Sequence, residues 1–381
     1  EKGRMLYPVI SWQCERTTPI MSDIGKYIPL EELYSESGVL PFNFNTVNKL
    51  IWFLENRPGL AEESYRFLFM PSIFIFLLTG EMVNDTTMAG TSMLTSLKSR
   101  GFSETIFNKT GFPVEKMGPV AEPGTIAGKI TSEASAETLI PKNVPVILTG
   151  HDTQFAIFGS GAGKNQPVLS SGTWEILMVR AEGFKSGIDQ LELGITTEFD
   201  SRPGLYNIGN QWIASGVIEW ARKNMYGDLK TGDYEAMISG AEKVPRGCNG
   251  VTVIPKFYEE LKGKPGGEIH GLRMESTRDE IYRAILESLA ERLAQGKKAL
   301  ENAGDFKTER ILCVGGGSKN RLWNRLRADY TGVPINIIDH KETTVLGASL
   351  FVQAACGNAS SPEEARERIE FKTEVIEPGI N

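Results

Sequence analysis

Three short segments carry residue types suited to chemistry. Gly150-His151-Asp152 follows the apolar run Val144–Leu148. Ligands of open α/β sheets sit at the carboxyl ends of strands. A carboxylate placed there can orient and deprotonate a substrate hydroxyl, and can hold a magnesium ion through water. The competing reading is an Asp152 that caps a helix starting at Thr153 or Gln154. About twenty residues on, Ser170-Ser171-Gly172-Thr173 interrupts two apolar stretches. Backbone amides and hydroxyls in such a turn can cradle phosphate oxygens without net positive charge, or the turn is an ordinary hairpin. The third segment, Gly315-Gly316-Gly317-Ser318, lies between a predicted strand and a predicted helix. Backbone can approach a ligand there, or the glycines serve packing.

Other chemistries are excluded by spacing. The triple glycine is not G-x-G-x-x-G, which disfavours a dinucleotide fold. Gly161-Ala162-Gly163-Lys164 fails as a phosphate loop, because Asn165 follows the lysine and Phe158 stands where the first glycine belongs. No G-x-S-x-G is present. The three histidines, His151, His270 and His340, and the four cysteines show no metal-ligand spacing and no C-x-x-C pair. Scattered cysteines in a chain of 381 residues fit a reducing, cytoplasmic setting. A net charge of −7 opposes non-specific nucleic-acid binding, which needs excess cations. Trp12 and Trp174 are the right kind of side chain to stack on a sugar, or are core tryptophans.

The elements that must position these residues follow from periodicity. Thr46–Glu55 has apolar residues at helical spacing, with Pro58-Gly59 as its end. Phe67–Leu78 is an apolar run too short to span a membrane and predicts a buried helix or strand. Val144–Leu148 predicts a buried strand. Val168–Ser171 and Trp174–Val179 predict two strands joined by a tight turn. Thr277 and Glu280 form a capping box for a helix to Ala303, with Ile281, Ile285, Leu289 and Leu293 on one face. Ile311–Val314, a helix from Arg321 to about Tyr330, and Pro334–Ile338 make a βαβ unit, so the class is α/β. Thr343 or Thr344 caps a last helix to Ala355. A boundary is expected near 155–165, where Gly159, Gly161 and Gly163 cluster, giving domains 1–158 and 159–381. Glu1-Lys2-Gly3-Arg4 followed by Leu6–Ile10 reads as the middle of a β-hairpin, with a segment expected upstream.

A strand-end Asp, then a Ser/Thr-Gly turn, then a distant triple glycine suits phosphoryl transfer from ATP. In that order the chain resembles the FGGY family of carbohydrate kinases. The resemblance rests on Ile10-Ser11-Trp12-Gln13-Cys14-Glu15-Arg16-Thr17, Asn84–Ala89, Gly150–Gln154, Ser170–Trp174 and Gly315–Asn320, and spans nearly the whole chain. It implies two ribonuclease H-like domains of the actin/hexokinase superfamily with a cleft between them, the first incomplete at its N-terminus. No Asp-x-Gly-Thr loop, which the family carries in its first hairpin, precedes Trp12. The resemblance implies ATP and Mg2+, with a ketose as the phosphoryl acceptor. Carried over by position, Asp152 is the general base and holds the metal through water. Gly172 and Thr173 hold phosphates, while Gly315, Gly316, Gly317 and Asn320 line the adenosine pocket. His151, Trp12, Phe44 and Asn45 fall on the sugar side. The segments around His151 and Leu169–Arg180 look most like family members acting on the 1-hydroxyl of L-fuculose. L-rhamnulose or L-xylulose kinases are the alternatives, and a non-catalytic nucleotide- or sugar-binding chain is the alternative from another class. No nucleic-acid or membrane partner is expected, and a homo-oligomer is left open.

Overall fold

The structure is a computed structural model and describes residues 3–230, 233–256, 266–338 and 342–379. Two compact units emerge, and the chain passes between them more than once. The first comprises 1–161, 180–208 and 342–370, and the second 162–179, 209–341 and 371–381.

In the first unit, the Thr46–Asn56 helix buries Val47, Leu50 and Ile51. Their spacing puts them on one face, against Ile20, Leu33, Phe107 and Phe112. The helix ends before Pro58 as expected, and Pro58 opens a second short helix, Pro58–Glu63, because a proline in the first turn has no amide that must be paired. Leu6–Ile10 carries no strand pairing among the described residues, and the Tyr7 ring packs on Trp52 and Phe53 of the helix at 6.0 and 5.1 Å. The apolar run forms a helix, Met70–Thr79, with Pro71 in its first turn and Gly80 in the left-handed conformation beyond its end. Contrary to the sequence reading, it is not buried: Phe74 is 56% and Leu77 62% exposed. Val144–Leu148 is likewise less buried than expected. Only Pro145–Ile147 is strand, paired antiparallel with Ile126–Lys129 alone, and Leu148 is its one buried residue.

The Asp152–Gly159 and Thr343–Ala355 helices cross in this unit with their backbones in contact. A Cβ on Gly347 would collide with the Phe155 carbonyl, and one on Gly159 with the Thr343 carbonyl. Phe155 and Phe158 both pack edge-on against Phe351, at 5.1 and 5.0 Å. Glu342, not Thr343 or Thr344, occupies the N-cap of the second helix, and no side chain caps it. The helix is also not the last element, since Pro362–Glu367 and Thr373–Ile376 follow.

The largest sheet among the described residues has seven strands in the order Thr373–Ile376, Ile335–Ile338, Ile311–Val314, Val168–Ser171, Trp174–Ala181, Tyr206–Ile213, Thr196–Phe199, and the second unit is built mainly on the first six. Ile311–Val314 pairs parallel with both of its neighbours, and Val168–Ser171 pairs antiparallel with Trp174–Ala181. Parallel neighbours need a crossover, and the Arg321–Thr331 helix supplies the one between Ile311–Val314 and Ile335–Ile338. The capping box is present: Thr277 accepts from the Glu280 amide and Glu280 accepts from the Thr277 amide. It starts the Arg278–Gly304 helix, which buries Ile285, Leu289 and Leu293 and leaves Ile281 half-buried.

The crossing helices yield a stability prediction. Gly347→Ala should cost at the upper end of the roughly 1–3 kcal/mol of overpacking, because backbone atoms must separate. Gly25→Ala, with open space around it, should leave the urea midpoint nearly unchanged. Equal midpoints for the two variants would contradict the close crossing.

Candidate active site

Asp152 is the first residue of its helix, and His151 holds the N-cap position. Asp152 is therefore not the cap. Its Oδ1 accepts from the Thr153 amide at 2.7 Å, and no protein donor reaches Oδ2 among the described residues. The side chain is 79% exposed.

The seat beneath it is rigid and polar. The His151 amide donates to Thr87 Oγ1 at 2.8 Å, Thr87 Oγ1 donates to Asp85 Oδ1 at 2.6 Å, and the same carboxyl oxygen accepts from the Met88 amide at 2.8 Å. Gly150 lies so close that a Cβ there would strike both Thr87 and Asp85. Burial pushes the Asp85 carboxyl above the usual carboxylate range, against its hydrogen bonds. Sequence reading noted the Asn84–Ala89 segment but assigned it no work. Its contact with His151 spans 64 residues, which local spacing cannot reveal. The ring of His151 is half-buried, its Nε2 3.6 Å from Asp152 Oδ1, and its buried Nδ1 has no partner.

The other residues assigned to the sugar side share this unit. Trp12 is 65% exposed and edge-on to Phe44 at 6.2 Å, while Phe44 stacks on Phe42 at 5.0 Å. Neither Trp12 nor Trp174 is a core tryptophan, since both are exposed. Arg16 lies 4.8 Å above the Trp52 ring and donates to Tyr7 Oη at 2.9 Å, pinning the segment to its helix. Asn45 is buried. Its Oδ1 accepts from the Phe42 amide at 2.5 Å, so it braces its own loop.

The glycine segments lie in the second unit. Val168–Ser171 and Trp174–Ala181 form the expected tight hairpin. Its turn is anchored from behind: the Gly172 carbonyl accepts from Ser215, and the Thr173 carbonyl from Ala214 and Gly216. The Gly172 amide is used internally, donating to the Trp174 carbonyl at 3.0 Å. The Thr173 amide and hydroxyl meet no protein acceptor among the described residues. Gly315 has φ +94°, which favours glycine, and a Cβ there would lie 2.6 Å from the Ser171 carbonyl. A Cβ on Gly317 would strike Ser171 Oγ, whereas one on Gly316 meets open space. The structure therefore brings the two glycine segments together through Ser171. Asn320 caps the Arg321–Thr331 helix through Oδ1 and donates from Nδ2 to Tyr282 Oη at 3.0 Å. Its amide is engaged at both ends.

Beneath the paired turns lies a charged cluster that sequence reading missed. Arg327 and Glu175 are both fully buried and form an ion pair. Arg327 also donates to Ser171 Oγ and Asn324 Oδ1, each at 2.6 Å, and its guanidinium stacks 3.6 Å from the Trp323 ring. Glu175 Oε2 accepts from Trp212 Nε1 at 2.9 Å.

Residues 1–159 match the N-terminal domain of the FGGY family of carbohydrate kinases, and residues 168–356 match its C-terminal domain. The L-fuculokinase of Escherichia coli K12 is 42% identical over 99% of this chain and 79% of its own length. The chain belongs to the FGGY family of carbohydrate kinases. A rhamnulokinase of Oceanobacillus iheyensis is 26% identical over 98% of the chain and 79% of its length. The crystal structure of xylulose kinase from Rhodospirillum rubrum superposes with a TM-score of 0.90 at 20% identity, covering 100% of this chain and 77% of that one. An FGGY kinase takes its phosphoryl group from ATP, and the fold is the two-domain α/β fold of these sugar kinases. Among the described residues, no cluster of three His, Cys, Asp or Glu side chains could hold a metal ion by itself, and no helix is long and apolar enough to cross a membrane. His340 lies outside the described residues.

The glycine geometry separates two roles. Gly317→Ala should lose about 1–3 kcal/mol of stability, as Ser171 and the Trp323 ring must move. Gly316→Ala should keep the wild-type melting temperature and weaken ATP binding. Thermal melts with and without ATP check both. A Gly316→Ala chain that binds ATP like the wild type would remove Gly316 from the nucleotide site.

Proposed function

We propose that this FGGY kinase transfers the γ-phosphoryl group of ATP to the 1-hydroxyl of L-fuculose, with Asp152 as general base. The observation that carries the reading is the Asp152 carboxylate itself. It is exposed, has an unengaged oxygen, and is fixed at a helix start by the buried Thr87–Asp85 seat. In the reaction, Asp152 takes the proton of the sugar hydroxyl as its oxygen bonds to the γ-phosphorus. The bond from that phosphorus to the β–γ bridging oxygen breaks, and ADP leaves with the electron pair. Such catalysis is mostly positioning and charge stabilisation.

His151 contacts the sugar beside the base. Trp12 and Phe44 offer an exposed aromatic surface for its apolar face, whereas Asn45 supports the loop that carries Phe44. These sugar-side residues all fall within 1–158. The Thr173 amide and hydroxyl, with Gly172, receive phosphate oxygens, and the open face of Gly316 receives adenosine between Gly315 and Gly317. Asn320 shapes that pocket by capping its helix. These nucleotide residues fall within 159–381. The donor set suits Mg2+: one exposed carboxylate, acting through water, joins ATP phosphates, which is how this ion is commonly held. Bound there, the ion neutralises phosphate charge. L-fuculose is favoured over L-rhamnulose because identity is 42% to an L-fuculokinase and 26% to a rhamnulokinase. The four cysteines are unpaired, in keeping with a cytoplasmic enzyme.

ADP release measured over a panel of ketoses tests the reading. L-fuculose should give the highest kcat/KM. Asp152→Asn should lower kcat by roughly 10²–10⁴-fold, the usual contribution of general base catalysis, while ATP still raises the melting temperature. Undiminished turnover in that variant would remove Asp152 as base, and a higher kcat/KM for L-rhamnulose or L-xylulose would reassign the substrate.

A further inference from the structure

We propose that Glu198 is a specificity-determining contact for the sugar, accepting a hydrogen bond from a ketose hydroxyl beside His151. The inference rests on the sugar-kinase reading above and adds a residue to it.

Glu198 lies on the Thr196–Phe199 strand. Thr197 and Phe199 point into the core, whereas Thr196 and Glu198 share the partly open face. Its Oε2 accepts from Gln154 Nε2, two residues beyond Asp152 on the same helix. Gln154 Oε1 in turn accepts from Asn207 Nδ2. Gln154 and Asn207 are fully buried, so this oxygen of Glu198 is held from behind by a fixed chain of amides. The other oxygen, Oε1, has only the Thr196 hydroxyl at 3.5 Å, beyond the normal range for an O–H···O bond. An under-satisfied carboxylate oxygen is costly away from bulk water, and a ligand hydroxyl would relieve that cost.

The surroundings say what kind of ligand. Glu198 is tied through Gln154 to the first turn of the helix that begins at Asp152, so it belongs to the neighbourhood of the base. Burial pushes its carboxyl upward, against its polar contacts with Thr196 and Gln154. The buried Nδ1 of His151 is a second polar atom without a partner. Two unsatisfied polar groups beside a general base fit adjacent hydroxyls of a polyol. Among the described residues no group of three His, Cys, Asp or Glu side chains is placed to hold a metal ion. A site that hydrogen-bonds a hydroxyl strongly rejects analogues lacking it.

The test compares wild type, Glu198→Gln and Glu198→Asp in steady-state kinetics, with melting temperatures recorded. Glu198→Gln keeps the size and the Gln154 contact, and Glu198→Asp keeps the charge but withdraws it by one methylene. Both should raise KM for the preferred ketose at least tenfold, leaving KM for ATP within twofold and the melting temperature close to wild type. For one monodeoxy analogue of that ketose, wild type and Glu198→Gln should have the same KM. A ketose KM within twofold of wild type in whichever variant folds would overturn the proposal while leaving the kinase reading standing. Parallel losses in ATP KM and melting temperature would also overturn it, by showing a structural role. If wild type prefers a ketose other than L-fuculose, Glu198 is judged on that ketose and only the substrate assignment fails. If wild type phosphorylates no ketose, both readings fall.

Discussion

A buried guanidinium holds the second unit's two glycine turns in place. Arg327 has no exposed side-chain surface, so its charge must be met entirely within the protein. Glu175 supplies the counter-charge, Ser171 and Asn324 accept hydrogen bonds, and the Trp323 ring covers one face. Breaking a pair of this kind by removing one partner costs about 3–5 kcal/mol, because the other charge is stranded. Here the pair is also a positional device. Ser171 begins the Gly172-Thr173 turn, and its oxygen atoms fill the space that side chains on Gly315 and Gly317 would need. The arginine thus fixes one glycine segment against the other, and the absence of Cβ atoms lets them touch.

The first unit reaches rigidity differently. Asp152 stays open, and everything behind it is closed. Thr87 and Asp85 tie down the amide before the helix, Gln154 and Asn207 lock its first turn from within, and Gly159 and Gly347 press its far end against a second helix. The proposed role of Asp152 as base calls for such support, since small displacements of a catalytic group cost rate steeply. The same economy explains Glu198, whose inner oxygen is committed to the scaffold and whose outer oxygen is not.

Much of this was legible in the sequence where the determinant is local. The capping box at Thr277, the hairpin at Gly172-Thr173 and the strand-turn-helix around Gly315 are each set by a few adjacent residues. What escaped is long-range. Arg327 meets Glu175 across 152 residues, and Glu198 meets Gln154 across 44. Hints were present: Arg327 falls four residues after Trp323 on the helix's apolar face, and Glu175 shares strand parity with buried Leu177 and Val179. A charge at a core position asks for a partner, although periodicity cannot name it. Burial was the other failure. Phe74 and Leu77 read as core from composition, yet hydrophobicity says only that a residue gains from cover, not that its neighbours provide it.

The most direct measurement is the ATP dissociation constant of a chain carrying Arg327→Met together with Glu175→Gln, in which no buried charge is stranded and Trp212 keeps an acceptor. If the ion pair positions the turns that receive ATP, the double variant should fold and still be stabilised by its ketose, while ATP binds about tenfold or more weakly. A folded double variant that binds ATP as tightly as the wild type would contradict the account, leaving the Arg327–Glu175 pair as a packing feature with no part in nucleotide binding.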